Sequence, residues 1–262
     1  MEVDVRPTRL SSSRWFRSFG EVADPVSEVV CFPHAGGSSA VFRSWHRYTS
    51  ALKITAVQLP GREVRLGEAP FQEMTALVDA LAPALKPLTR RPYAFYGHSM
   101  GALVAFEVLR RFVELELPLP VALFVSGRDA PQYADQEQVH HLPDAELLDR
   151  LRAWEGMEPQ ELSQYAELVA LMLPTIRADL TLAETYGHVP GPPLPVPVRV
   201  LRGTRDPLVR PGDAGWARQT SADCSVHDFD GGHFFVQDHE RSVVTFIETA
   251  LGVSAAKEAG TQ

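Results

Sequence analysis

The chain is poor in the features that mark several large protein classes. It has only two cysteines, Cys31 and Cys224, in 262 residues. Each lies in an apolar, strand-like run, so both read as buried free thiols and not as a disulfide framework, which fits a reducing cytoplasm. No run of 18 apolar residues occurs, so no membrane-spanning helix is expected. The opening stretch MEVDVRPTRLSSSRWFRSF has none of the apolar core that a secretory signal needs. Positive charge is scarce: 25 Lys and Arg against 33 Asp and Glu leave a formal charge of −8. Nucleic acid and anionic membranes reward clustered positive charge, so neither is an expected partner. The basic pairs Arg62 with Arg65, Arg90 with Arg91 and Arg110 with Arg111 read most simply as solvated faces. G-x-G-x-x-G dinucleotide spacing and P-loop spacing are both absent. No Ser/Gly-rich linker and no long-period repeat divides the chain, so residues 1–262 are expected to form one domain, with 253–262 as a polar tail.

What is present is a rhythm. Apolar, β-rich runs recur at EVVCFPH (28–34), ITAVQLPG (54–61), YAFYGHS (93–99), VALFVSG (121–127), VRVLRG (198–203) and CSVHDF (224–229). Continuous apolar runs suit strands covered on both faces. Helical periods lie between or after them, at Ser38–Leu52, Phe71–Leu85, Gly101–Leu115 and Phe234–Leu251. This alternation predicts an α/β fold with a mainly parallel sheet, and RWFRSF adds a short antiparallel edge strand. The long interval from Gly127 to Val198 has no strand. It holds a helical pattern opening at Asp144 and a second one interrupted by Pro174, which is expected to break or kink it. Such a stretch is far longer than a crossover needs and predicts a helical lid over about 132–190.

The chemistry concentrates at Gly97-His98-Ser99-Met100-Gly101, a G-x-S-x-G at the point where a strand becomes a helix. That setting is a nucleophile elbow, in which the glycines relieve crowding in a very tight turn and the serine hydroxyl projects above the sheet edge. A serine needs a base and an orienting acid. Of nine histidines, His233 stands on a Gly-rich loop, DFDGGHFF, just past the last strand. Asp206, in RGTRDPLV, follows the strand before it, and Asp129, in VSGRDAP, is a rival acid one strand earlier. An attacked carbonyl needs waiting amides. Met100, after the serine, offers one, and Ala35, in the turn His34-Ala35-Gly36-Gly37 after the first long strand, offers the other. No His/Asp/Glu cluster has metal-site spacing.

FPHAGG, LPGRE, YGHSMGALVAFE, GTRDPLV and DGGHFF together resemble the type II thioesterases of polyketide and nonribosomal peptide synthesis, in order and approximate spacing, from Val29 to about Leu251. The resemblance implies an α/β-hydrolase fold with a helical lid and removal of stalled acyl groups from the phosphopantetheine arm of acyl or peptidyl carrier proteins. It implies Ser99, Asp206 and His233 as a triad, Ala35 and Met100 as oxyanion donors, and no metal or dissociable cofactor. Met157, Leu168, Leu171, Met172, Ile176 and Leu180 on the lid are candidates for an acyl pocket. Arg62, Arg65 or arginines on the lid are candidates for a positive patch that meets an acidic carrier. The protein is expected to be a cytoplasmic monomer that meets its carriers transiently. Other readings are a general esterase or lipase on the same fold, a macrocyclising thioesterase domain, and a non-catalytic ligand-binding member of the fold.

Overall fold

The computed structural model describes residues 14–133, 137–155 and 166–253. The expected tail from 254 onward and Met157 lie outside these residues. Seven strands form one sheet: β1 (Phe16–Phe19), β2 (Ser27–Phe32), β3 (Leu52–Val57), β4 (Tyr93–His98), β5 (Leu123–Ser126), β6 (Val198–Gly203) and β7 (Cys224–Phe229). Their order is β1-β3-β2-β4-β5-β6-β7. β1 runs antiparallel to β3 and every other pairing is parallel. All six expected runs are strands, and RWFRSF supplies the antiparallel edge.

The α-helices are α1 (Met74–Leu85), α2 (Met100–Glu114), α3 (Asp144–Glu155), α4 (Ala166–Glu184), α5 (Phe235–Asp238) and α6 (Glu240–Ala250). α1 and α2 cover one face of the sheet, where Leu81, Leu103, Val104, Phe106 and Phe112 pack against Val30, Phe95 and Val125. α6 covers the other face through Val243, Val244 and Ile247 against Phe124 and Leu201. The central strands β2, β4 and β5 are buried along their whole length, as continuous apolar runs require. β7 departs from that expectation. It is the free edge, four of its six residues are exposed, and Cys224 on it is half-buried.

Three helical expectations are corrected. Ser38–Leu52 is not an α-helix but two 3₁₀ turns, Ser39–Phe42 and Trp45–Tyr48, followed directly by β3. Phe42 closes the first turn and Trp45 opens the second, and both are buried and meet edge-to-face at 5.1 Å, so the two turns join over one aromatic contact in the core. The Thr49 hydroxyl then accepts from Ala51 and Leu52 N–H and turns the chain into β3. The last helix breaks at His239, whose ring Nε2 bonds the Asp230 carbonyl at 2.6 Å. Of the break or kink expected at Pro174, the break does not occur, since α4 continues through it. The next turn is anchored to the body of the protein by Thr175 and Asp179, and these tertiary bonds override the local cost of a mid-helix proline, about 3 kcal/mol.

Candidate active site

The turn at the end of β4 is built on close backbone approach. A Cβ at Gly97 would lie 2.3 Å from the Gly101 carbonyl oxygen, and a Cβ at Gly101 would lie 2.1 Å from that of Phe32. No side chain fits at either position. Between them Ser99 is held at φ 54, ψ −118, a region that costs a non-glycine residue about 1–3 kcal/mol and persists only where the surroundings over-determine it. Those surroundings are on hand: Ser99 N–H donates to the Ser126 carbonyl at 2.8 Å, and Ala102 N–H donates to the Ser99 carbonyl at 3.0 Å. Met100 is the first residue of α2, so its N–H is one of the helix's unspent amides.

His233 follows β7 on the Gly231-Gly232 loop and is 4% exposed. Its Nδ1 lies 2.9 Å from Asp206 Oδ2. A carboxylate only accepts, so Nδ1 is the donor, and the neutral ring in this tautomer has its lone pair on Nε2. Asp206 is held in turn by Leu208 N–H, which donates to its Oδ1 at 2.9 Å. The rival, Asp129, is engaged elsewhere: it accepts from Arg210 N–H at 2.8 Å and pairs with the Arg210 guanidinium. Ser99, His233, Met100 and Ala35 line one cavity of about 450 Å³, which Asp129 also borders.

Residues 27–251 match the family of thioesterase domains. The chain belongs to the thioesterase family. Thioesterase PikA5 of Streptomyces venezuelae is 36% identical over 252 residues, covering 95% of this chain and 89% of that one. A Brevibacillus parabrevis protein named linear gramicidin dehydrogenase LgrE is also 36% identical, covering 94% of this chain and 96% of its own. Among solved structures, the type II thioesterase BorB from the borrelidin biosynthetic cluster superposes with a TM-score of 0.79 at 36% identity, covering 91% of this chain and 96% of that one. The protein is thus a thioester hydrolase on an α/β-hydrolase fold.

The thioesterase's cavity is walled differently from the sequence expectation. Of the four lid candidates whose side chains are described, Leu180 alone lines it, joined by Leu151, Trp154 and Ala183 from the insert and by Leu208 and Phe234 from the core. Leu171 is 55% exposed. Ile176 sits in a satellite cluster with Val139, Leu147 and Leu173 that packs α4 against α3, and Met172 is half-buried away from the cavity. Met157 lies outside the described residues, as does the side chain of Leu168. The sequence carries the periodicity of this helix but not which of two apolar surfaces each face meets.

Arg62 and Arg65 are ruled out as the basic patch. Arg62 is 4% exposed and paired with Asp179, while Arg65 is buried, bonded to Glu68 and the Gln58 carbonyl and stacked on Trp15. Neither arginine presents charge to a partner. Among the described residues no helix is long and apolar enough to cross a membrane, and no group of three or more His, Cys, Asp or Glu is placed to hold a metal ion.

Two further histidines flank His233 and were not assigned from sequence. The His98 ring lies 5.2 Å from His233 and 5.9 Å from His34. His98 is tied to Ser126 Oγ at 2.9 Å. Burial, then the neighbouring His233, pushes His34 down to about 4. Burial, then His233 and His34, pushes His98 well below the ordinary value. Both rings are therefore neutral at neutral pH and add no charge beside His233.

The same shifts couple to stability. The unfolded chain protonates these histidines near pH 6.5, and the folded chain refuses the protons until much lower pH. The unfolded state then binds more protons, so stability is fully present above pH 6.5 and declines as pH falls toward about 4. Thermal unfolding followed from pH 8 to pH 4 should show Tm falling across this window, and His98→Gln should flatten the decline.

Proposed function

We propose that this thioesterase releases acyl groups held as thioesters on the phosphopantetheine arm of carrier proteins, as an editing enzyme of a polyketide or nonribosomal peptide system. Ser99 is the nucleophile, His233 the base, Asp206 the orienting acid, and the N–H groups of Ala35 and Met100 the oxyanion donors. The reading is supported above all by the shared cavity of Ser99, His233, Ala35 and Met100, with the 2.9 Å bond from His233 to Asp206 behind it. The borrelidin-cluster neighbour and the PikA5 relative support the biosynthetic setting.

The chemistry runs in two halves. Ser99 Oγ attacks the thioester carbonyl carbon while His233 Nε2 takes its proton. The carbonyl oxygen becomes an oxyanion between Ala35 and Met100. As the intermediate collapses the C–S bond breaks, and His233 returns the proton to the departing sulfur. A thiol of pKa about 8.5 is a good leaving group, so the demanding task is holding the oxyanion. Water then attacks the acyl-Ser99 ester, His233 takes a proton from it, and the free acid leaves with Ser99 restored. Asp206 stays ionised throughout and steadies the imidazolium. The insert bearing α3 and α4 serves as the lid over the acyl group, against the apolar wall of Leu151, Trp154, Leu180 and Leu208.

The redox activity in the name of the Brevibacillus relative belongs to that protein; in this chain the glycine-rich turn after β2 reads His34-Ala35-Gly36-Gly37, without dinucleotide spacing. The enzyme acts as a monomer that meets its carriers transiently in the cytoplasm. Steady-state kinetics over a panel of acyl-carrier proteins, from acetyl to long chains, test the reading. Free acid is the expected product, with kcat/KM at least about tenfold above that for matched oxygen esters, because a thiolate leaves more readily than an alkoxide. Equal turnover of oxygen esters would make it a general esterase, and a ring product would make it a cyclase.

A further inference from the structure

The LPGRE block, residues 59–63, has no role in the chemistry above, yet it is bonded to the turn that bears Ala35. Arg62 is bidentate on the lid residue Asp179, with Nη1 to Oδ2 and Nη2 to Oδ1 both at 2.7 Å. Both side chains are buried, at 4% and 3% exposure. The pair also grips the turn that bears Ala35. Gly36 N–H donates to Asp179 Oδ2 at 2.7 Å, and Arg62 Nη1 donates to the Gly37 carbonyl at 2.8 Å. Glu63 adds a second tie, accepting from the hydroxyls of Ser38 at 2.6 Å and Ser39 at 3.0 Å.

These bonds bear on one peptide plane. The His34 carbonyl and the Ala35 N–H belong to the same planar trans amide and point in opposite directions. The His34 carbonyl accepts from Gly37 N–H at 2.9 Å. Gly37 is itself held by Arg62, and Gly36 by Asp179, so the direction of the Ala35 N–H is set by the pair. One face of α4, at i, i+1, i+4 and i+5, meets the LPGRE block, this turn and the cavity. Thr175 donates to the Gly61 carbonyl at 2.8 Å, Ile176 packs on Gly36, Asp179 holds the Gly36 amide, and Leu180 enters the cavity. Gly36 has φ +75, and a Cβ there would lie 2.7 Å from Ile176 Cγ1, so the turn and the lid helix are in direct contact.

We propose that Asp179 and Arg62 are positioning residues for the oxyanion hole, and that through them the seating of the lid helix α4 sets the aim of the Ala35 amide. The inference rests on the proposed role of Ala35. Asp179 and Arg62 touch no reacting atom. Their effect falls on the tetrahedral state, where the oxyanion forms, and not on the bound thioester.

Two double variants separate this from a plain stabilising ion pair. Arg62→Met/Asp179→Leu fills similar volume without polar groups, and buried ion pairs are often replaced this way without loss of stability. Arg62→Gln/Asp179→Asn keeps an acceptor for Gly36 N–H and a donor for the Gly37 carbonyl. The apolar pair is expected to lose kcat by about 10- to 100-fold with KM within about threefold, a part of the cost of deleting an oxyanion donor. Its affinity for a trifluoromethyl ketone, which forms a tetrahedral adduct on serine, should fall by the same factor. Affinity for an unreactive thioether analogue should hold. The amide pair should retain kcat within about fivefold of the parent.

The proposal is overturned if the folded apolar pair keeps kcat, if ketone and thioether affinities fall together, or if the amide pair is as poor as the apolar one. Should the apolar pair not fold, Asp179→Asn alone decides. There the amide oxygen can stand in for Oδ2, but the NH₂ replaces Oδ1 and meets Arg62 Nη2 donor against donor, so a smaller loss of kcat and ketone affinity is expected, and no loss overturns the proposal. Ser99→Ala run alongside distinguishes the two readings: if it retains turnover the triad reading fails, and if it alone collapses only the positioning role fails.

Discussion

Ser99→Ala is expected to lower hydrolysis of an acyl-pantetheine thioester by about three to six orders of magnitude, with the fold intact. The size follows from how little else in the cavity can attack. Removing Oγ leaves the amides of Ala35 and Met100, which still stabilise an oxyanion if water attacks, so a residue of catalysis persists. The fold should tolerate the change because Ser99 makes its structural bonds through its backbone, with N–H to the Ser126 carbonyl and C=O to Ala102 N–H, and its side chain caps nothing in α2. Single-turnover kinetics with the carrier-bound thioester, alongside thermal unfolding, check both halves. Covalent labelling of Ser99 by a fluorophosphonate should vanish in the variant and be strong in the parent. Retained turnover in a well-folded Ser99→Ala protein would remove the serine-hydrolase mechanism altogether.

Asp206→Asn is expected to cost about three to four orders of magnitude in kcat, with KM nearly unchanged. The carboxylate does two things at His233. It accepts the Nδ1 proton, which selects the tautomer whose Nε2 lone pair can take the serine proton, and it steadies the imidazolium that results. An asparagine can turn its NH₂ toward Nδ1, which favours the opposite tautomer and blocks the base. Asp129→Asn is the control, since its partner is Arg210 on another loop. It should leave kcat within about tenfold and express itself as a loss of stability, because a partly buried arginine loses its ionic partner. Circular dichroism and kcat measured on both variants decide the assignment: a severe Asp129→Asn beside a mild Asp206→Asn would move the acid one strand back.

How much of this was legible depends on the range of the signal. The elbow was legible because everything that makes it is within five residues: a strand run, two glycines, a serine and the start of a helical period. His233 was separable from eight other histidines by its place on a glycine loop just past the last strand. The 3₁₀ turns at 39–48 were not legible, because Phe42 and Trp45 satisfy a helical period and a 3₁₀ spacing equally well. The exposure of β7 was not legible either, since an edge strand announces itself only when the order of the sheet is known. Trp154 and Leu151 were passed over because their apolar stripe is no stronger than that of the residues chosen instead. The role of Arg62 was misread for the plainest reason: its partner, Asp179, stands 117 positions away.

By itself the sequence determined the alternation of strands and helices, the family and the places of Ser99, Asp206 and His233 just past three strands. Those are written in local hydrophobic period and in short motifs that need no knowledge of distant residues. Tertiary structure alone decided which face of α4 meets the cavity, whether an arginine is solvated or clamped, and which of two aspartates touches the imidazole. Each of these depends on burial and pairing between segments remote in the chain, and a side chain's charge, exposure and partner exist only once those segments have met.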